Sequence, residues 1–362
     1  MEPIGLYLHV PFCQRKCSYC DFYSVTQTEL REAYVCALLS RLEAAAKALK
    51  RPAKTLYFGG GTPSLLGGAS IARLTKAARS LFGLEGAEIT LECNPGTALD
   101  EVLERAAEAG VNRVSLGIQA FDDQVLSALG RTHTAAQAAE AVETVRRAGI
   151  QNFSLDVMLA LPGQTKKNLS STLDFCADSG AAHISAYLLK VEPGTPLSKA
   201  NPLLPSEDEA ADLYLFACER LERAGFFQYE ISNFAKPGKE SRHNLIYWDC
   251  GEYLGLGPAA HSLIHGRRFY FPRDLRGFLA GDPPVFDGPG GQFEEYAMLR
   301  LRLSQGLTEE DVQRRFGHGI PPSLRKKAEA LAREGLAQAE SAGIRLTRRG
   351  MLVQNSVLGF LL

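Results

Sequence analysis

Several things are scarce in this chain. Net charge is only −1, from 40 basic and 41 acidic side chains, so no bulk field draws the protein to nucleic acid. No apolar run approaches the roughly 20 residues of a membrane-spanning helix. The first residues lack the charged-then-apolar pattern of an export signal, and eight cysteines in 362 residues are too few for a disulfide scaffold. The expected setting is therefore cytoplasmic, with reduced thiols. Internal repeats and low-complexity tracts are absent, which sets aside repeat arrays.

What is present is a rhythm. Short β-rich apolar runs at 5–10, 55–58, 88–92, 113–118, 153–159 and 183–189 alternate with amphipathic helical stretches at 29–49, 69–82, 99–109, 135–148 and 166–179. This order predicts an α/β fold with a parallel sheet and βαβ crossovers, either open and doubly wound or an incomplete barrel. Functional groups then belong at the C-terminal ends of the strands. Beyond Leu189 the rhythm breaks. The stretch 192–205 reads as a loop, 206–224 as a helix, 233–272 as irregular and 282–292 (DPPVFDGPGGQ) as a linker. The remainder, 293–362, reads as three helices, two short strands and a last apolar helix, the order of a small winged-helix module. The expected division is 1–232, 233–292 and 293–362.

The first strand runs into Cys13, Cys17 and Cys20, spaced C-x3-C-x2-C. Three thiolates leave a four-iron cubane with one open iron. Zinc, with His9 as a fourth ligand, is the alternative. The second strand ends in Gly59-Gly60-Gly61-Thr62-Pro63, a weak signal alone, since a tight turn explains it. The third ends at Glu92, the fourth at Gln119 followed by Arg131, and the fifth carries Asp156. Charged groups gathered at successive strand ends need partners, and a shared ligand would supply them. Cys36, Cys93, Cys176, Cys218 and Cys250 lack metal spacing and read as ordinary buried thiols.

With GGGTP after it, the cysteine loop resembles the radical S-adenosylmethionine (SAM) superfamily. LYLHVPFCQRKCSYCDF, LYFGGGTPSLL, LECNPG, VSLGIQAFDD, LGRTH, LDVMLALPGQT and HNLIYW are similar to the HemN/HemW group, as is the C-terminal module. The resemblance implies an incomplete (β/α)6 radical SAM barrel followed by a winged-helix-like α+β domain. It implies a [4Fe–4S] cluster on Cys13, Cys17 and Cys20, with SAM on the open iron. One electron from the cluster would cleave SAM to a 5′-deoxyadenosyl radical. Tyr7, Gly60, Gly61, Thr62 and Glu92 would line the SAM site. Tyr19, Gln119, Arg131 and Asp156 match contacts to a second SAM. Relatives often carry glycine where this chain has Ala160, and the extra methyl is expected to tighten the room beyond Asp156.

The group holds an oxygen-independent coproporphyrinogen III oxidase and a heme-chaperone branch. Three features favour the chaperone branch: Phe22 where the oxidase has a fourth cysteine, Cys13 close to the start rather than after an extension, and the H-N-x-x-Y-W pattern at 243–248. The implied activity is binding of heme and its transfer to acceptor hemoproteins, including ones at a membrane, with an electron donor serving the cluster. Radical oxidative decarboxylation of propionate side chains is the alternative, and enzymatic turnover is left open. His243 is a candidate heme ligand, with a structural histidine in an aromatic corner as its alternative. His261 ranks below it, and His133 is read as supporting Arg131.

Overall fold

The computed structural model describes residues 2–362. Strands β1 (Ile4–Val10), β2 (Ala53–Gly60), β3 (Glu88–Cys93), β4 (Arg113–Gln119), β5 (Phe153–Leu159) and β6 (His183–Leu188) stand parallel and in consecutive order. The order never reverses, so the sheet winds in one direction, as a barrel does. The principal crossover helices are Arg31–Leu49, Gly68–Phe82, Asp100–Glu108, Ala135–Arg147 and Lys166–Asp178.

Period-2 alternation sets what each face of this sheet carries. Leu6, Leu8, Leu56, Phe58, Ile89, Leu91, Val114, Leu116, Leu155, Val157, Ile184 and Ala186 form one buried core with the helices. Each large apolar side chain in it contributes about 1.5–3 kcal/mol. The alternate positions are polar: Tyr57, Glu92, Arg113, Ser115, Gln119, Asp156, Ser185 and Tyr187 all line one internal cavity. The barrel is therefore apolar outside and polar inside.

The stretch expected to be irregular is ordered. Beyond β7 (Phe227–Gln228) lie β8 (Asn233–Ala235), β9 (Tyr253–Leu256), β10 (His261–Ile264), β11 (Arg267–Tyr270) and β12 (Val285–Pro289). β9 adds to β1 in parallel and carries the antiparallel β10, β11 and β12. β8 and β7 extend the β6 edge. One twelve-stranded sheet results, ending at β12 and β7, and no ladder joins those ends among the described residues, so the barrel is incomplete. These strands span two to five residues, too short to show a period of their own; they exist because long neighbours offer unpaired edges. The expected linker 282–292 contains β12.

The C-terminal part has winged-helix order: helix Phe293–Arg300, β13 (Leu307–Thr308), helices Glu309–Phe316 and Pro322–Arg333, then β14 (Ala337–Glu340) and β15 (Gly343–Leu346) in a three-stranded antiparallel sheet. The Thr308 hydroxyl caps its helix by accepting from the Asp311 N–H at 3.1 Å. Buried Arg300 ties this module to the C-terminal end of the helix Arg242–Trp248. It pairs with Asp249 and also donates to Gln305 Oε1 (2.9 Å) and the Gly306 carbonyl (3.1 Å).

Candidate functional site

The polar barrel interior opens into a cavity of about 680 Å3, within the size range of small-molecule sites. Eleven of the thirteen residues expected at the site line it: Cys13, Cys17, Cys20, Tyr19, Gly60, Gly61, Thr62, Glu92, Gln119, Arg131 and Asp156. Tyr7 and His243 do not.

The cysteine loop leaves β1 and is pinned at its base. The Cys13 N–H donates to the Val25 carbonyl (2.9 Å), and the Gly61 and Thr62 N–H groups donate to the carbonyls of Val10 (2.8 Å) and Phe12 (2.7 Å). Glycine is required at this junction. A Cβ on Gly61 would stand 2.6 Å from the Phe12 carbonyl oxygen, and Gly60 has φ +115° with the His9 ring 2.7 Å from its would-be Cβ. The Thr62 hydroxyl lies 3.7 Å from the Cys13 sulfur and accepts from Asn94 Nδ2 at 2.9 Å. Arg131 donates to the Cys17 sulfur (3.5 Å), to Asn94 Oδ1 (2.8 Å) and to the Gly117 carbonyl (2.7 Å). Burial raises the thiol pKa of Cys13 and Cys20.

Glu92 hangs over the β2 end. Its carboxylate accepts from the Tyr57 hydroxyl (2.8 Å) and the Gly60 N–H (3.2 Å). Burial pushes its pKa from 4.5 to about 7, against those two bonds and helped by Asp156. Asp156 is raised too, chiefly by burial, and accepts from the Ser115 hydroxyl at 3.0 Å. A break in register between Leu116 and Gln119, with Gln119 at φ +64°, aims that amide at the cavity, where its Oε1 accepts from the Tyr187 hydroxyl at 2.8 Å. Ala160 does not line the cavity; it sits at φ +57°, so its methyl acts through backbone strain rather than room.

His243 takes the structural place given as its alternative, in an aromatic corner with Tyr247. His243 is 1 % exposed, with Nδ1 2.7 Å from the Thr55 hydroxyl and Nε2 2.7 Å from the Tyr247 hydroxyl. Both nitrogens are engaged, burial drops its pKa to about 3, and the ring plugs the barrel floor instead of facing a ligand. Glu88 holds its helix, Arg242–Trp248, by accepting the Arg242 and His243 N–H groups. On another face of this helix Asn244 and Trp248 do line the cavity. His9 Nε2 donates to the Tyr23 carbonyl (3.0 Å), so Nδ1 accepts from the Tyr7 hydroxyl (3.1 Å) and no lone pair is left for zinc. Tyr7 thus stands behind the cavity, bracing His9. His133 donates to the Ile118 carbonyl at 3.1 Å, and His261 stacks on Tyr270 away from the cavity. Among the other cysteines Cys36 is exposed, not buried.

The donor set fits an iron–sulfur cubane better than a mononuclear ion. Three thiols of one loop line the cavity, the ligand count that leaves a four-iron cubane one open iron, and His9 has no lone pair with which to complete a zinc site. The Glu92 carboxylate at the β3 end suits an ammonium, and the Gly60–Gly61 turn, free of side chains, lets a ligand approach the backbone closely. Sequence reasoning missed Tyr57, Asn94, Arg113, Asn244, Trp248 and Arg302 on the wall. Counting back in twos from Gln119 reaches Arg113 and was the available signal.

Comparison with family descriptions matches residues 7–176 to the radical SAM superfamily and 292–353 to the HemN C-terminal domain. The heme chaperone HemW of Mycobacterium tuberculosis (strain H37Rv) is 38% identical over 379 residues, spanning 100% of this chain and 95% of its own length. HemW of Escherichia coli (strain K12) is 36% identical, covering 99% of this chain and 98% of its own. HemW of Lactococcus lactis is 33% identical, covering 98% and 96%. Among solved structures, coproporphyrinogen III oxidase (HemN) from Escherichia coli, a radical SAM enzyme, superposes with TM-score 0.85 at 22% identity, over 99% of this chain and 90% of that one.

Proposed function

The chain belongs to the HemW heme chaperone family of the radical SAM superfamily, and from that premise we propose that it carries heme for delivery to acceptor hemoproteins. Cys13, Cys17 and Cys20 would hold a [4Fe–4S] cluster, and Gly60, Gly61, Thr62 and Glu92 would hold SAM beside it. When bound, the cluster supplies SAM with an electron. The work of this chain's own residues is positional. The pinned loop fixes the thiols, Arg131 lays positive charge against Cys17, and the buried Glu92 carboxylate awaits a cation. Phe22, 67 % exposed at the cavity rim where the oxidase carries a cysteine, adds apolar surface instead of a ligand.

The observation that carries the reading is the helix Arg242–Trp248. Its Asn244 and Trp248 bring the H-N-x-x-Y-W pattern onto the wall of the cavity, which apolar Met158, Leu188 and Leu189 also line. That wall suits a flat, largely apolar macrocycle with polar edges. His243 serves this helix from behind and is not part of the proposed ligand set. Among the described residues no helix is long and apolar enough to cross a membrane.

Anaerobic reconstitution followed by hemin titration is the test. A saturable change in the heme spectrum that W248A weakens is expected; its absence in the wild-type chain sinks the carrier reading. Incubation with coproporphyrinogen III, SAM and a reductant forms the counter-test, and production of protoporphyrinogen IX would replace carrier by oxidase.

A further inference from the structure

Three arginines are more than nine-tenths buried: Arg51, Arg113 and Arg300. Two are neutralised within the fold. Arg51 pairs with Glu252 and donates to the Glu2 carbonyl at 3.0 Å. Arg300 pairs with Asp249 and bonds Gln305. Arg113, only 2 % exposed, has no such partner. Among the described residues its guanidinium makes no hydrogen bond and no ion pair within 4.0 Å, and its Nε is enclosed without an acceptor.

Arg113 opens β4 and points inward, three strand repeats below Gln119, onto the wall of the cavity. It lies deep. Its charge is felt by His183 and His243 on the barrel floor and by Glu92 and Asp156 nearer the strand ends, all of which it pushes down in pKa. A guanidinium stays charged at any pH a protein survives and offers five N–H donors in a flat fork. Buried without an anion it is an uncompensated charge, which folds rarely retain unless something else completes it. The fork matches a carboxylate with two parallel bonds. A dianionic phosphate fits less well, because Glu92, Asp156 and Glu230 already line the same cavity; a single negative charge offsets Arg113 without crowding them.

We propose that Arg113 is the anchor for a carboxylate of the ligand that fills the barrel. A tetrapyrrole brings one through its propionate; SAM, set on the open iron, would present its α-carboxylate to the cysteine loop and serves as the control. The anchor turns a propionate towards the floor and leaves the macrocycle towards the cysteine loop. The assignment rests on the heme reading and deepens it.

The test uses the full chain, reconstituted anaerobically, as wild type, R113M and R113K. Two probe pairs are titrated: hemin against hemin dimethyl ester, and SAM against decarboxylated SAM. R113M lowers affinity for hemin at least tenfold and leaves hemin dimethyl ester and both SAM probes unchanged, with R113K between. Ligand-free R113M melts at the wild-type temperature or above it, because an unpaired buried charge has been removed. Unchanged hemin binding by R113M overturns the proposal, as does a loss of affinity confined to SAM. A joint fall in the ligand-free melting temperature of R113M and R113K also overturns it, since the arginine then serves the fold. Hemin bound by the wild type with no dependence on Arg113 refutes the anchor and spares the heme reading; failure of the wild type to bind hemin refutes the heme reading and the anchor with it.

Discussion

Glu92 gives the sharpest quantitative expectation. In the unfolded chain its carboxyl titrates near 4.5; in the folded chain burial holds the proton until about pH 7. The folded state thus binds more protons than the unfolded one between these values, and stability falls as pH rises through that window. Below 4.5 the contribution is complete, and above 7 it is gone. At about 1.4 kcal/mol per pH unit the loss is on the order of 3 kcal/mol. E92Q is neutral throughout and carries no such dependence. Its amide accepts from only one of the two donors that meet Glu92, the Tyr57 hydroxyl and the Gly60 N–H, a constant cost of about 1 kcal/mol. Urea unfolding of the cluster-free, reduced chain from pH 5 to 8.5 reads the difference directly. E92Q should gain on the wild type by roughly 3 kcal/mol across the range and finish as the more stable protein. Parallel curves would refute the assignment of a buried, protonated Glu92. With SAM present the same group predicts wild-type affinity rising about tenfold per pH unit towards 7 and then levelling, against a flat, weak response in E92Q.

Three further outcomes follow from the geometry. H243A removes the bonds to Thr55 and Tyr247 and opens a void in the floor, costing about 3 kcal/mol by denaturant titration; its heme spectrum should match the wild type, and a changed axial signature would return His243 to the ligand set. G61A drives a methyl against the Phe12 and Val10 carbonyls, so about 3 kcal/mol of strain and a clear loss of iron on reconstitution are expected, whereas full iron uptake would show that the loop tolerates displacement. His9 and His133 are depressed to about 4 and His243 to about 3, chiefly by burial, so the stability they contribute is present above about 6.5 and lost as pH falls towards 4. The E92Q background, freed of the opposing carboxyl, should therefore unfold at steadily lower urea as pH drops from 6.5; a level midpoint would deny the buried neutral state of these rings.

How far the sequence carried can be judged element by element. The six parallel strands were legible because each is an apolar run between turn signals, with a long crossover to the next. The cysteine loop, Gly60–Thr62, Glu92 and Asp156 were legible because strand ends are where such folds place ligands. The strands β8 to β12 were not, since their pairing comes from neighbours distant in sequence. His243 was chosen for the chemistry of its ring, yet burial and two hydrogen bonds decide its role, and both depend on Thr55 and on a helix read as irregular chain. Arg113 escaped for a related reason: at the start of a strand it resembles a flanking charge, and only the alternation that points Gln119 inward shows that it shares the same wall.

One feature of the winged-helix module reaches further than its own packing. Arg302 lines the barrel cavity, its guanidinium 4.5 Å from the Trp248 ring, while Leu303 bridges to Glu230. Occupancy of the barrel and seating of the module are then thermodynamically linked, and the linkage is reciprocal. Any ligand that gathers Trp248 and Arg302 slows local detachment of residues 293–362, and any acceptor that lifts the module weakens the ligand by the same factor. Backbone amide exchange in the helix Phe293–Arg300 becomes a reporter of cavity occupancy.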